Sequence, residues 1–201
     1  MTKKIGITQR VETVEAYAEV RDALDQRWYR LFAPLNALLI PIPNAIEKID
    51  VYCRECNLDG FVLTGGNHHP LRNRCEESIL NYAVKQQKPV LGVCHGMQFF
   101  SKYFRTPLVL LEDGHVACEH PITIRENRWG FPEGICTVNS YHRHALSCVP
   151  TDFTGFAFDK DGYCEAMQHN ILPWVACMWH PERDTSLPTW VHPFLKKLFQ
   201  A

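Results

Sequence analysis

Short apolar runs alternate with longer segments of mixed apolar and polar residues through the first half of the chain. The runs KIGIT (4–8), ALLIP (37–41), GFVLTGG (60–66) and KPVLGVC (88–94) each predict a buried strand. The segments 15–35, 44–56, 75–87 and 95–104 have helical spacing, and Asn44 is suited to cap the second. Four strand-then-helix units in succession predict a parallel sheet covered by helices on both faces.

The second half has shorter apolar runs separated by turn residues such as Asp161-Gly162. The runs 119–128, 134–142 and 154–169 predict an antiparallel extension, and 174–180 predicts a return to the main sheet before a final helix around 186–200. No internal repeat, low-complexity tract or linker interrupts this pattern. We therefore expect residues 1–201 to form one α/β/α domain of three layers with a mostly parallel central sheet.

Composition narrows the class of partner. The net charge is −1 with no basic patch, which argues against nucleic-acid binding, and no apolar run is long enough for a membrane span. Nine cysteines, an odd number, without a signal-peptide pattern favour reduced thiols and a cytoplasmic location. Neither Cys53-x-x-Cys56 nor the doublet His68-His69 has a second half at ligand spacing, so we expect no metal site.

The segment PVLGVCHGMQFF (89–100) places Cys94 between two glycines, after a predicted strand and before a predicted helix. This is the arrangement of a nucleophile elbow, in which flanking glycines leave room for a strained turn. The thiol would project beyond the carboxyl end of the strand, where ligands of parallel sheets bind, and the helix N-terminus would favour its thiolate. The alternative is a buried cysteine in an ordinary packing turn.

Two further segments supply what a cysteine nucleophile requires. Gly65 and Gly66 follow the strand FVL, so the bare Gly66 amide could pair with the His95 amide as an oxyanion hole. His180, just past the strand WVACMW, could act as the base, and Glu182 two positions on could orient its imidazole. Taken alone, the first segment is an ordinary Gly-Gly turn and the second a surface turn.

The motifs GVCHGMQ, LTGG and HPE together resemble the class I glutamine amidotransferase and gamma-glutamyl hydrolase family over residues 5–184. The resemblance implies a flavodoxin-like fold, Cys94 as nucleophile, His180 as base and acid, and Glu182 as the residue that orients it. It also implies that Gly65 and Gln98 help to hold the glutamyl group. Because VNSYHRHAL resembles the V-N-S-x-H loop of gamma-glutamyl hydrolases, it implies that a further set of residues borders that group: Asn139, Ser140, Tyr141 and His142.

The resemblance further implies the reaction: hydrolysis of a small-molecule gamma-glutamyl amide through a thioester, without metal or organic cofactor. Within the family the chain looks most like hydrolases of gamma-glutamyl-CDP-amidate, which act on a route to phosphoramidate-modified capsular sugars. Arg10 and Arg21 would then meet the diphosphate, although both could equally be solvated or paired with acidic neighbours.

The alternatives are a glutaminase subunit that supplies ammonia to a separate synthetase, a hydrolase of gamma-glutamyl-aminobutyrate-type conjugates, and a catalytically silent binding relative. The oligomeric state is left open.

Overall fold

The structure, a computed structural model, describes residues 1–184 and 186–201, with the backbone alone at 113 and 114. Within these residues a nine-stranded sheet has the order β4-β1-β5-β6-β11-β10-β9-β7-β8. The first five strands in that order are parallel to their neighbours, and their bounds are β4 Ala37–Pro41, β1 Lys3–Ile7, β5 Gly60–Leu63, β6 Val90–Val93 and β11 Trp174–Cys177.

Alternate residues of these strands pack on opposite faces of the sheet, because successive side chains of a strand point opposite ways. In β6, Leu91 and Val93 belong to one buried cluster and Val90 to the other. The first cluster lies under α1 and α5, and the second under α2, α3 and α4. The helices are α1 Arg27–Phe32, α2 Ile49–Glu55, α3 Pro70–Gln86, α4 His95–Tyr103 and α5 Val191–Phe199. The predicted three-layer fold with a mostly parallel core is confirmed.

The predicted antiparallel extension is also confirmed. Its strands are β10 Cys164–His169, β9 Phe153–Phe158, β7 Leu108–Ile124 and β8 Gly134–Leu146. The strand β10 pairs antiparallel with β11, so the extension continues the main sheet without a break. The longest strand pairing joins β7 to β8, and its register shifts twice.

The predicted helix over 15–35 is wrong in its first half. Instead β2 Arg10–Val14 and β3 Glu19–Ala23 form an antiparallel hairpin around a 3-10 turn, and only α1 is α-helical. Residues 15–22 are all exposed, so a helix there would have had no buried apolar face, which is the main source of helix stability in proteins. Side-chain bonds from other segments hold the hairpin instead.

Asn44 provides one of these bonds, and this corrects the predicted helix cap. Its backbone N–H and its side-chain amide both donate to the carboxylate of Asp22 in β3. Helix α2 begins later, at Ile49. Asn67 holds the other hairpin strand, because its amide donates to the carbonyl oxygen of Val11 at 2.7 Å. Among the described residues, the longest helices are too short or too polar to traverse a lipid bilayer.

Candidate active site

The turn between β6 and α4 has the strained geometry of an elbow. Cys94 adopts φ 50° and ψ −102°, in the range of positive φ that side chains other than glycine rarely occupy. The flanking glycines are required by their surroundings. A Cβ on Gly92 would lie 3.0 Å from the carbonyl carbon of Gly96, and a Cβ on Gly96 would collide with the carbonyl oxygen of Leu63. The elbow therefore packs directly against the end of β5.

His180 reaches the same edge of the sheet from the neighbouring strand. The register of β6 and β11 pairs Val93 with Cys177, and the N–H of Cys94 donates to the carbonyl oxygen of Cys177 at 2.8 Å. A Cβ on Gly65, just past β5, would collide with the imidazole of His180. The three predicted stretches thus converge at the carboxyl ends of β5, β6 and β11.

The imidazole of His180 is buried and held from two sides. Its Nδ1 lies 2.7 Å from Oε1 of Glu182, which is also buried. The Asn139 side chain accepts a bond from the His180 N–H at 2.9 Å and donates one to the His180 carbonyl oxygen at 2.8 Å. With Nδ1–H donated to the carboxylate, Nε2 carries the free lone pair of a general base.

Burial raises the pKa of the Cys94 thiol to about 12, and the nearby charge of Glu182 acts in the same direction. A hydrogen bond from the backbone N–H of His95 and the charge of Arg183 oppose this rise without reversing it. The resting sulfur is therefore a thiol, contrary to the expectation that the helix N-terminus favours a thiolate. Attack by the sulfur then requires a base to take its proton.

The predicted oxyanion donors face this sulfur. The His95 amide, which lies in the first turn of α4 and has no acceptor within the helix, points at the sulfur of Cys94. Gly66 has φ +134°, a conformation that favours glycine, and a Cβ there would lie 2.7 Å from Nη1 of Arg72. A role for the two amides in binding an oxyanion stays a prediction.

A buried charged network behind the elbow was missed at the sequence level. Arg72 and Glu76, both fully buried on α3, form an ion pair at 2.9 Å. The guanidinium of Arg72 also donates to the carbonyl oxygens of Thr64, Gly65 and Asn67, which form the loop after β5. These two charged residues share an i, i+4 spacing on the buried face of α3, the one signal that could have revealed them.

The same network reaches the elbow through His95. Its Nε2 lies 2.9 Å from Oε2 of Glu76. Burial alone would raise the pKa of Glu76, but the charge of Arg72 and the contact with His95 outweigh it and lower the pKa to about 2. Burial lowers the pKa of His95 against the opposing effect of Glu76, so the ring is neutral and donates to the carboxylate. One carboxylate thus ties the oxyanion loop to the elbow.

Arg183 is a second residue that the sequence reasoning missed. Its guanidinium lies 4.3 Å from the ring centroid of Tyr141, and the Tyr141 ring meets that of His180 edge-on at 5.5 Å. Arg183 lines two open cavities of about 510 and 480 Å³. The first also contains Asn139 and Tyr141. Its position directly after Glu182 in the HPER turn is the signal that could have indicated it.

The remaining residues predicted to border the glutamyl group are less uniform. Gln98 is buried one helical turn after the elbow, and its amide donates to the carbonyl oxygen of His144 at 3.1 Å. Ser140 and His142 are buried on β8, where alternation places them on the face opposite Asn139 and Tyr141. Ser140 donates to the carbonyl oxygen of His115. Substrate contact by these side chains stays a prediction.

The two arginines assigned to a diphosphate lie in different surroundings. Arg10 is next to the oxyanion loop, since a Cβ on Gly66 would lie 3.1 Å from its own Cβ, and it pairs loosely with Glu12 at 3.8 Å. Arg21 is exposed on the hairpin, where its guanidinium binds Glu19 and the Tyr17 hydroxyl. Only Arg10 is thus placed beside the groups described above, and substrate contact by either arginine stays a prediction.

Comparison with known proteins gives a consistent picture. A protein of Campylobacter jejuni named gamma-glutamyl-CDP-amidate hydrolase is 27% identical over 193 residues, covering 91% of this chain and 92% of that protein. A Lactococcus lactis protein named putative glutamine amidotransferase-like protein YvdE is 29% identical, covering 87% and 85%. The solved structure of a putative GMP synthase subunit from Thermoplasma acidophilum has a TM-score of 0.75 at 21% identity, covering 100% and 94%.

The family model described as Glutamine amidotransferase class-I matches residues 12–195, which is most of the chain. That range contains the elbow, the loop after β5 and the His180 turn. The chain therefore belongs to the class-I glutamine amidotransferase family and is a hydrolase of glutamine-type amide bonds.

Proposed function

We propose that this protein cleaves a gamma-glutamyl C–N amide bond through a gamma-glutamyl thioester on Cys94. The observation that carries the proposal is the convergence of three strand ends: the elbow, the loop at Gly65 and the His180–Glu182 pair. A buried base held by a buried carboxylate beside a strained cysteine is the constellation of nucleophilic acyl transfer. Binding alone would not require these three groups together.

The chemistry begins from a protonated sulfur. His180 takes the thiol proton at Nε2 as the sulfur attacks the γ-carbonyl carbon, and Glu182 stabilises the imidazolium that forms. The carbonyl oxygen, now an oxyanion, accepts bonds from the Gly66 and His95 amides. The imidazolium then gives the proton to the departing nitrogen. In the second half His180 takes a proton from water, which attacks the thioester and releases glutamate and the free thiol.

For the leaving group we favour a cytidine diphosphoramidate, so that the substrate is gamma-glutamyl-CDP-amidate. The name of the Campylobacter jejuni relative supports this choice. Arg10 beside Gly66 and Arg183 beside Tyr141 flank the acyl site, and guanidinium groups suit the oxygens of a diphosphate. Such a substrate would place this protein in the synthesis of phosphoramidate-modified capsular sugars.

A second candidate is a glutaminase subunit that passes ammonia to a separate synthetase. The structural likeness to a putative GMP synthase subunit supports it. This function requires glutamine as the substrate and low activity until the partner binds.

The test offers the pure protein three substrates side by side: gamma-glutamyl-CDP-amidate, glutamine and gamma-glutamyl-aminobutyrate. We expect the first to have the highest kcat/KM, because only its leaving group uses the guanidinium groups. A preference for glutamine or for the aminobutyrate conjugate would overturn the proposed substrate while leaving the hydrolase intact.

The Cys94→Ala variant tests the mechanism itself. It is expected to lose at least ~10⁴-fold in kcat, the scale seen when a nucleophile is removed. A glutamine-like electrophile should label wild-type Cys94 and leave the variant unlabelled. Turnover by the variant near the wild-type rate would contradict the assignment, and a wild-type protein that neither turns over nor reacts would be a silent binding relative.

A further inference from the structure

A second group of chemically active side chains lies in the antiparallel extension, outside the proposed mechanism. It consists of His115 and His120 of β7, His142 of β8 and Glu165 of β10, which we call the histidine cluster. Each of the four residues contributes one ligand atom, and all four atoms lie within 4.8 Å of one another. The sequence pattern did not indicate them, because no two of these residues have conventional ligand spacing.

A bulge in β7 brings the histidines to one face. His115 and His120 are five positions apart and would point to opposite faces of a regular strand. The register shifts between Val116 and Cys118, and Ala117 adopts φ 55°, so one extra residue restores the same facing. His142 lies directly opposite His115 in the register.

The atoms that face one another in the histidine cluster lack partners. Among the described residues none donates to or accepts from Nδ1 of His115, Nε2 of His120, Nε2 of His142 or either carboxylate oxygen of Glu165. The side chains of His142 and Glu165 are each only 1% exposed. A carboxylate buried to that degree without a hydrogen-bond donor is costly, and a cation among these atoms would remove the cost.

The spacing fits a cation better than direct hydrogen bonds. Nε2 of His142 lies 3.5 Å from Oε1 of Glu165, and Nε2 of His120 lies 3.8 Å from Oε2. Charge-assisted N–H···O bonds are shorter, at about 2.7–2.9 Å. Two ligands of one tetrahedral zinc, with bonds of about 2.0–2.1 Å, lie about 3.3–3.4 Å apart. Small side-chain movements would therefore complete such a site.

The imidazole of His142 is already oriented as a ligand. Its Nδ1 lies 3.2 Å from the carbonyl oxygen of His144, which requires the proton at Nδ1 and leaves Nε2 free to bind. The same carbonyl accepts the bond from Gln98 of α4. The histidine cluster is thus linked to the helix that carries the elbow.

We propose that His115, His120, His142 and Glu165 bind one Zn²⁺ ion, which fastens the antiparallel extension to the sheet. Four protein ligands, three imidazoles and one carboxylate, fill a tetrahedral sphere, which is the pattern of a structural site. Such an ion would join β7, β8 and β10, of which β10 pairs with β11, the strand before His180. This proposal replaces the expectation of no metal and does not depend on the proposed reaction.

The test measures zinc in tag-free full-length protein by mass spectrometry of the metal after dialysis. We expect about one zinc per chain. Removing it with a chelator should lower Tm by about 5–10 °C relative to protein with zinc a hundred-fold above Kd. Cobalt added to the chelated protein should give the visible absorption of a tetrahedral Co²⁺ site. Absence of both bound zinc and a zinc-dependent Tm would overturn the proposal.

Three variants assign the ion to the histidine cluster. His120→Gln should lose the zinc and the cobalt spectrum. His144→Gln, an exposed histidine on the same strand as His142, should keep both, as should Cys118→Ser, which removes an exposed thiol close to the cluster in β7. Zinc retained by His120→Gln, or lost from either control, would overturn the assignment. Cys94→Ala should keep its zinc, which separates this result from any failure of the hydrolase proposal.

Discussion

The catalytic edge and the antiparallel extension bring side chains together in different ways. At the catalytic edge Gly65 and Cys94 follow directly on buried parallel strands, and His180 comes three residues after β11. In the extension the histidine cluster draws on the middle of β7, β8 and β10, and its facing depends on a bulge at Ala117. The first arrangement requires only that strand ends be found, whereas the second requires the register between strands.

The two regions also differ in what their side chains hold. At the catalytic edge buried groups position a base and a nucleophile, so substitutions there should mainly lower the rate. In the extension the buried groups hold strands together, so substitutions there should mainly lower stability. The predictions below test this division, from the largest expected effect to the smallest.

Glu182→Gln should lower kcat by about 10³–10⁴-fold, because an amide cannot stabilise the imidazolium or fix its tautomer. Tm should change little, and the exposed Glu133→Gln variant, measured in the same assay, should behave as wild type. A loss of less than ten-fold would place the orienting role elsewhere.

Glu76→Gln should lower the free energy of unfolding at pH 7 by about 3 kcal/mol, because it leaves Arg72 buried without its partner. The folded pKa of Glu76 is about 2, below its ordinary 4.5, so the wild-type advantage is full above pH 4.5. It should disappear as the pH falls from about 4.5 to 2, as denaturant unfolding at several pH values would show. An advantage that persists at pH 2 would contradict the ion-pair explanation.

Gly65→Ala should lower kcat by about 100-fold, because the new methyl group displaces the imidazole of His180. The backbone need not change, so Tm should stay within a few degrees of wild type. Labelling of Cys94 by a small electrophile should still occur. Unchanged turnover would show that His180 has room to move.

Asn139→Ala tests the contact between the two regions, since this extension residue holds the backbone of His180. Leaving those buried groups unpaired should cost about 1–3 kcal/mol of stability, with a loss in kcat of about ten-fold. His144→Gln on the same strand should change neither. A loss of stability without any loss of rate would mean that the extension does not position the base.

The sequence located the catalytic edge well because its signals are local. Strand-forming runs, the glycines around Cys94 and the HPE turn each lie within a few residues, and together they predicted the parallel core and the order of its elements. The helix over 15–35 was wrong because its spacing was also local, while the decisive bonds come from Asn44 and Asn67. Local spacing cannot show which segment will supply a partner.

The sequence by itself determined the strand ends, the strained elbow and the family, because these depend on short-range sterics and on motifs of a few residues. Only the tertiary structure decided the state of the Cys94 thiol, the Arg72–Glu76–His95 network and the histidine cluster. Each of these depends on burial and on distances between residues far apart in the chain. Such quantities exist only once the register and the layers are set.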